Sequence, residues 1–160
     1  MLQIPQGMFP VSMTKPVTTA GGFSTDVVSL KNAVMAWIVV HLNQTTAAAT
    51  TIVPMRTLAV GSAGVVLANV VPIWYGLVTT STNAIGRVAA DAADYTVGGS
   101  IATGNIYVIF QIDPANLGGA YDCIYVDVAT GDAANFADIT CWVQPKYASK
   151  TADQLSFIVD

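Results

Sequence analysis

Residues 33–42 read AVMAWIVVHL, an almost unbroken apolar run with the chain's only histidine, His41, near its end. Side chains alternate between the two faces of a strand. One face of this run would carry Val34, Ala36, Ile38, Val40 and Leu42, and the other Ala33, Met35, Trp37, Val39 and His41. Both faces are apolar, which predicts a central strand covered on both sides. The tryptophan, the isoleucine and the paired valines favour a strand over a short helix.

Similar strand patterns recur along the chain, separated by turn signals. Residues 105–114, NIYVIFQIDP, place Ile106, Val108, Phe110 and Ile112 inward and end in an Asp-Pro turn. Further strands are predicted in VVSL (27–30), TIVPMRTLAV (51–60, with Pro54 marking an edge or bulge), VVLANVVPIWYG (65–76), AYDCIYVDVAT (120–130), ITCWVQPKY (139–147) and LSFIVD (155–160). RVAADAAD (87–94) allows one helical turn. The spacing predicts an all-β fold, an antiparallel two-sheet sandwich resembling a jelly roll.

The composition points to a protein that is covered by neighbours. Charged residues make up 10% of the 160 residues, against about 25% in an average globular domain. A free monomer usually stays soluble through many interspersed charges. There is no basic stripe with interleaved aromatics, so we expect no nucleic-acid partner. The apolar runs are too short for a membrane-spanning helix, so we expect no membrane partner.

The first 25 residues differ from the rest, with prolines at 5, 10 and 16 and many apolar side chains. Proline hinders regular strand pairing. We therefore divide the chain into an extended N-terminal arm, 1–25, and a single sandwich domain, 26–160. An edge strand tucked against its own domain is an equal alternative. If the segment is an arm, its assembly contacts are Leu2, Ile4, Met8, Phe9, Val11 and Met13.

The residues that could carry chemistry are few and scattered. His41 ends a hydrophobic strand and no G-x-S-x-G motif is present, so a structural histidine is expected rather than a catalytic one. Cys123 and Cys141 are expected to be reduced and buried. The set Asp127, Asp132, Asn135 and Asp138 lacks EF-hand spacing. Trp37, Trp74 and Trp142 are predicted to pack in the core. We expect no enzyme, no metal and no cofactor.

Four segments together resemble small virion proteins of tailed bacteriophages, of the head decoration or cement type. They are TTAGGFSTDVVSLKNA (18–33), AWIVVHLNQ (36–44), NVVPIW (69–74) and VIFQIDPANLGGAYDCIYV (108–126), within residues 17–130. The shared order is an S-L-K-N step into a long apolar strand, an I-D-P turn, and an aromatic-Asp-Cys-Ile strand. The segment 1–16 lies outside the resemblance, which implies no catalytic residues.

The resemblance implies a non-enzymatic structural protein that binds and stabilises a capsid lattice from its exterior. Its partners would be the major capsid protein and copies of itself, as a dimer or trimer, and assembly would take place in the host cytoplasm. Three alternatives stay open. They are a phage tail or head–tail connector component, a carbohydrate-binding β-sandwich module that uses exposed tryptophans, and a hydrolase with an aspartate centre.

Overall fold

The computed structural model describes residues 7–78, 84–98 and 104–146. Within these ranges the chain forms twelve β-strands and one 3-10 helix. The strands are β1 (Phe9–Thr18), β2 (Phe23–Ser24), β3 (Val28–Ser29), β4 (Ala33–Gln44), β5 (Thr50–Thr57), β6 (Val65–Val66), β7 (Ile73–Val78), β8 (Gly86–Arg87), β9 (Tyr95–Val97), β10 (Gly104–Ile112), β11 (Cys123–Val128) and β12 (Phe136–Pro145). The 3-10 helix is Pro114–Leu117. The strand predicted at 155–160 lies outside the described residues.

Two antiparallel sheets form a β-sandwich. The first sheet has the order β1-β12-β4-β10-β7-β8, and the second has β2-β11-β5-β6, with β3 beside β11 and β9 beside β5. The set β1-β12-β4-β10 opposite β2-β11-β5-β6 is the strand order of a jelly roll, and β7 and β8 extend the first sheet beyond β10. The predicted fold class is therefore confirmed.

The core lies between the sheets and is built by alternation. From β4, the predicted face buries Ala36, Ile38, Val40 and Leu42. Its first member, Val34, is instead 47% exposed, and Ala33 from the other predicted face is buried in its place. The buried residues of β4 are joined by the predicted inward set of β10 and by inward residues of β11 and β12, including Ile124, Val126, Ile139 and Cys141. β4 is central, since it pairs with β10 on one side and β12 on the other. However, its second face is only half-buried, so the prediction of full cover on both sides is wrong.

The N-terminal segment is part of the sandwich from residue 9 onward. β1 pairs with β12 from Phe9 opposite Val143 to Thr18 opposite Phe136, and β2 pairs with β11. The alternative of an edge strand on its own domain therefore describes residues 9–18, and a domain boundary at residue 25 does not hold. Pro10 and Pro16 are compatible with this strand because it lies at the edge of its sheet.

Pro54 lies where its missing N–H costs nothing. Its partner on β11, Val126, turns both backbone groups away from it, donating to Thr25 Oγ1 at 3.0 Å and accepting from the Thr25 N–H at 3.0 Å. On the other side of β5, β9 pairs up to Ile52 and β6 pairs from Met55. Position 54 thus falls in the gap between two short edge strands. β5 itself is an inner strand without a bulge at Pro54, so the prediction of an edge or bulge is wrong, although the proline is tolerated for the same reason.

Two predicted elements differ from the structure. The stretch 65–76 is not one strand but two, β6 in the second sheet and β7 in the first, and residues 67–72 cross between the sheets. Residues 87–94 form no helical turn, and β8 ends at Arg87. No helix in the described part of the chain is long and apolar enough to cross a membrane.

Candidate interaction surfaces

The outer face of the first sheet carries a group of large apolar side chains. We call it the aromatic face and define it by Met35, Trp37, Val39, Trp74, Ile109 and Trp142. Alternation explains it, because alternate positions of β4, β10 and β12 are buried between the sheets and the intervening positions point outward. Each of the six side chains is half-buried.

Strand register brings these side chains together. Trp37 on β4 lies directly opposite Trp142 on β12, and Ile109 on β10 lies between Val39 and Trp74. Directly opposed residues have Cβ atoms about 5 Å apart, so the side chains form one contiguous surface. At its edge, the Arg87 guanidinium lies 5.5 Å from the centre of the Trp74 ring, in cation–π geometry.

His41 lies at the polar end of the same face. Its ring stacks on Tyr107 with a centroid distance of 4.7 Å and an angle of 13° between planes. Its Nε2 is 3.1 Å from Asn105 Oδ1, which also accepts from Asn43 Nδ2. Asp138 is its register partner on β12. These contacts give the imidazole a structural role between neighbouring strands, as the sequence predicted.

The prediction that the three tryptophans pack in the core is wrong. All three occupy outward positions on the first sheet and are half-buried. An apolar run on a central strand does not reveal which face is inward, and the smaller residues filled the core. The signal in the sequence was the alternation along β4. Trp37 lies on the same face of the strand as the polar His41, and Ile38 lies on the other face.

A second exposed apolar surface lies on the connection from β5 to β7. We call it the hairpin patch. Its members are Leu58, Val60, Val65, Val66 and Val70, which are 52%, 38%, 40%, 46% and 61% exposed. No charged residue occurs between Arg56 and Arg87. Sequence reasoning missed this surface, although the absence of charge around the GSAG turn at 61–64 was its signal.

The four predicted arm contacts within the described residues differ in burial. Leu2 and Ile4 lie outside the described residues. Met8 and Phe9 are half-buried, and Phe9 packs against the core. Val11 and Met13 are 7% and 1% exposed, so the assignment of these two to assembly contacts is wrong. They are inward positions of β1 and pack in the core of their own domain.

The two thiols are buried and free, as predicted. Cys141 faces the core from β12, and Cys123 lies on β11 of the opposite sheet. Desolvation raises the pKa of Cys141 to about 12. Desolvation, together with hydrogen bonding to Asp122, raises the pKa of Cys123 to about 11. Both thiols are therefore protonated and poorly nucleophilic at neutral pH.

The acidic side chains of the β11–β12 region serve the backbone and their neighbours. Asp127 accepts from Ser24 Oγ at 2.5 Å, and Asp132 caps a turn by accepting from the Ala134 N–H at 2.8 Å. The buried Asn135 side chain accepts from the backbone N–H groups of Thr45 and Thr46, both at 2.9 Å. Among the described residues, no group of three or more His, Cys, Asp or Glu side chains could hold a metal ion.

A shallow cleft of about 400 Å³ lies where β4 begins, beside the 3-10 helix. Its lining includes Lys31, Lys146, Asp113 and Asp122. The two positive and two negative side chains balance, so the cleft offers no single-sign field for a charged ligand. Nearby, Arg56 packs over the Tyr121 ring at 4.4 Å and donates to the Leu117 carbonyl, which fixes the end of the 3-10 helix.

Comparison with known proteins does not assign a family. No family model matches the chain, and no curated protein matches it. Among solved structures, the chain is similar to the SPBc2 prophage-derived protein YomS, with a TM-score of 0.47 and 7% sequence identity. The match covers 85% of this chain and 91% of that one. At this level the likeness carries no argument about function.

Proposed function

We propose that the chain is a non-enzymatic structural protein of a bacteriophage virion, which binds and stabilises the capsid lattice as a decoration, or cement, protein. The resemblance of residues 17–130 supports this role, and so does the low charge of the chain. The jelly roll is compatible with it, because the fold occurs in viral capsid proteins, although it also occurs in lectins. Fold alone does not imply function, so the proposal depends on a surface.

The observation that carries the proposal is the hairpin patch. Isolated exposed aliphatic residues are ordinary, but this patch places five within thirteen residues, 58–70, with no charged residue among them. Charge depletion marks the centre of protein interfaces. β6 is also an edge strand, and exposed edges usually carry charge to prevent pairing with other chains. Val65 and Val66 leave this edge apolar, which suits attachment to a repeating protein surface.

We further propose that the segment before β1 adds to this attachment through Leu2, Ile4 and Met8. Their apolar area would contribute roughly 25 cal/mol per Å² once buried. Pro5 lowers the entropy that an extended segment loses on docking. On a lattice, such weak contacts would be strengthened by avidity.

The test is co-sedimentation of the purified chain with capsids of the phage that encodes it, prepared without this protein. Val66→Lys should weaken capsid binding by about tenfold or more, because a charge would be desolvated at the contact. Val34→Lys is the matched control, because Val34 is 47% exposed and Val66 is 46% exposed. The control should bind like the wild type. Equal binding by both variants would contradict attachment through the hairpin patch.

A tail or connector component remains the second candidate in the same class, since an apolar hairpin suits any virion surface. Co-purification with tails rather than with heads would favour it.

A non-enzymatic role also predicts that His41 is dispensable for particle function. In His41→Asn, a shorter amide replaces the imidazole, and Asn43 Nδ2 still donates to Asn105 Oδ1. We expect the variant to fold and to bind capsids with unchanged affinity. A folded His41→Asn protein that has lost particle function would contradict this proposal.

A further inference from the structure

We propose that the aromatic face is a binding site for a neutral oligosaccharide, centred on Trp37 and Trp142. The site lies on the exterior of the first sheet, whereas the hairpin patch lies at an edge of the second. The inference therefore goes beyond the proposed function and does not depend on it. It commits to one class of ligand, a short chain of uncharged sugar units.

The two central tryptophans form a platform on which sugar rings can stack. Trp37 on β4 and Trp142 on β12 are directly opposed, half-buried and on the outward side of the sheet. Directly opposed side chains have Cβ atoms about 5 Å apart, so the two indoles are neighbours. The C–H groups on one side of a pyranose ring are apolar and pack against an aromatic ring. Because the half-buried indoles are already held against the sheet, they lose little conformational entropy when a sugar binds.

Hydrogen-bonding side chains flank this platform. Gln111 on β10 lies directly opposite Trp37. Gln144 and Thr140 are the outward positions on either side of Trp142 along β12. Within the described residues, these three side chains make no hydrogen bond. A ligand site combines aromatic side chains with a few polar groups that fix orientation. Two amides and a hydroxyl beside the indoles can therefore bond to sugar hydroxyl groups that would otherwise be desolvated without partners.

The size of the site suits a short oligosaccharide better than a protein. The six side chains of the aromatic face belong to four strands, β12, β4, β10 and β7, and on β4 they extend from Met35 to Val39. At about 4.8 Å per strand and about 3.3 Å per residue, they cover roughly 300 Å². A specific protein interface needs about 800 Å² from each partner. The aromatic face alone is therefore too small for a protein partner, but it can hold a few sugar units.

The charge distribution favours an uncharged ligand. The six side chains of the aromatic face are uncharged, and the charges beside them are Arg87, near the Trp74 ring, and Asp138, the register partner of His41. A single-stranded nucleic acid also stacks its bases on aromatic side chains, but its phosphates need a positively charged groove. Arg87 is paired with Asp91 and does not supply one. A neutral sugar needs no opposite charge.

The experiment is a titration of the full chain with cellohexaose, xylohexaose, mannohexaose, chitohexaose and maltohexaose, followed by tryptophan fluorescence and calorimetry. We expect at least one of these saccharides to bind with a Kd of about 1 mM or tighter and to change the tryptophan emission. Trp37→Ala should weaken this binding by about tenfold or more, because a stacked ring is lost. Gln111→Ala should weaken it by about threefold to tenfold, because hydrogen bonds to sugar hydroxyl groups are lost.

The matched control is Phe136→Ala, which removes an exposed aromatic ring from the same side of β12. At about 3.3 Å per residue, Phe136 lies about 20 Å from Trp142, so this variant should bind like the wild type. Near-UV circular dichroism checks that each variant is folded. Should Trp37→Ala fail to fold, Gln111→Ala still decides the matter, because the Gln111 side chain makes no hydrogen bond with the described residues.

A folded wild type that binds none of the five saccharides would overturn the inference. So would binding that the folded variants leave unchanged, because the sugar would then lie elsewhere on the molecule. A dimer that sedimentation velocity detects and that Trp37→Ala dissociates, without saccharide binding, would assign the face to a second copy instead. None of these results touches capsid binding through the hairpin patch.

Discussion

At the scale of single residues, the position of a side chain along β4 decides its role. Ala36 is completely buried, whereas Val34, two residues earlier, is 47% exposed. The pairing with β12 shifts register here, and Ala33, 1% exposed, takes the inward position. Aspartate at position 36 would place an unpaired charge in the core, at a cost of several kcal/mol. At position 34 it would stay solvated, with an effect within about 0.5 kcal/mol.

Urea denaturation of the two variants measures this difference directly. We expect Ala36→Asp to unfold the domain or shift its midpoint strongly, and Val34→Asp to match the wild type. If Ala36→Asp left the midpoint unchanged, the strand could not have the inward face described above.

The two buried thiols predict how the stability of the fold depends on pH. Both pKa values are raised by desolvation above the ordinary value of 9.0, to about 11 for Cys123 and about 12 for Cys141. The stability that the protonated thiols contribute is fully present below about pH 9, and it is lost as the pH rises through these folded-state pKa values. Cys141→Ala should therefore flatten the alkaline loss of stability.

A thiol-specific reagent should label the native protein slowly and find two thiols in the denatured, non-reduced protein. A count of zero after denaturation would show a disulfide and contradict the two free thiols of the structure.

Residue roles were predictable where they depend on neighbours in sequence. Asp113 and Pro114 predicted a turn, and the Asp113 side chain caps the 3-10 helix by accepting from the Ala115 N–H at 2.9 Å. Gly118 then ends that helix with a φ of 74°, which glycine adopts without strain. The outward position of the tryptophans was not predictable in this way, because it depends on which face the second sheet covers.

At the scale of elements, β1 is integral to the fold. It pairs with β12 along its length, and it buries Val11 and Met13. Deleting residues 1–8 should leave the domain folded, since the strand begins at Phe9. Deleting residues 1–18 should destabilise it severely, because truncating one such buried side chain to alanine already costs about 2–5 kcal/mol.

Thermal unfolding of the two truncations shows whether the domain needs β1 to fold. Met13→Ala serves as a point-mutation control. A stable, cooperatively folded chain lacking residues 1–18 would show that β1 is a detachable arm after all.

Most strands were predictable from alternation, but their assignment to sheets was not. The apolar stretch 65–76 has one composition throughout, yet it contributes β6 to one sheet and β7 to the other. The crossing at residues 67–72 depends on which strand of each sheet β6 and β7 pair with, and the sequence of this stretch does not show that. Likewise, the prolines of β1 indicated poor strand pairing, but an edge strand tolerates them.

At the scale of the whole molecule, a β-sandwich with little charge exposes two apolar surfaces on different sides. The hairpin patch belongs to an edge of the second sheet, and the aromatic face belongs to the exterior of the first. The sequence predicted a covered, assembling protein from its composition, but two of its six contact residues, Val11 and Met13, lie in the core of their own domain.

A density map of the phage particle tests the central claim, that this chain is a component of the capsid exterior. The account predicts a jelly roll of this topology on the outer surface of the shell at every equivalent lattice position, with the β5–β7 connection against the major capsid protein. A fully interpreted map of the particle in which the chain is absent from the shell, or occurs only in the tail, would contradict it.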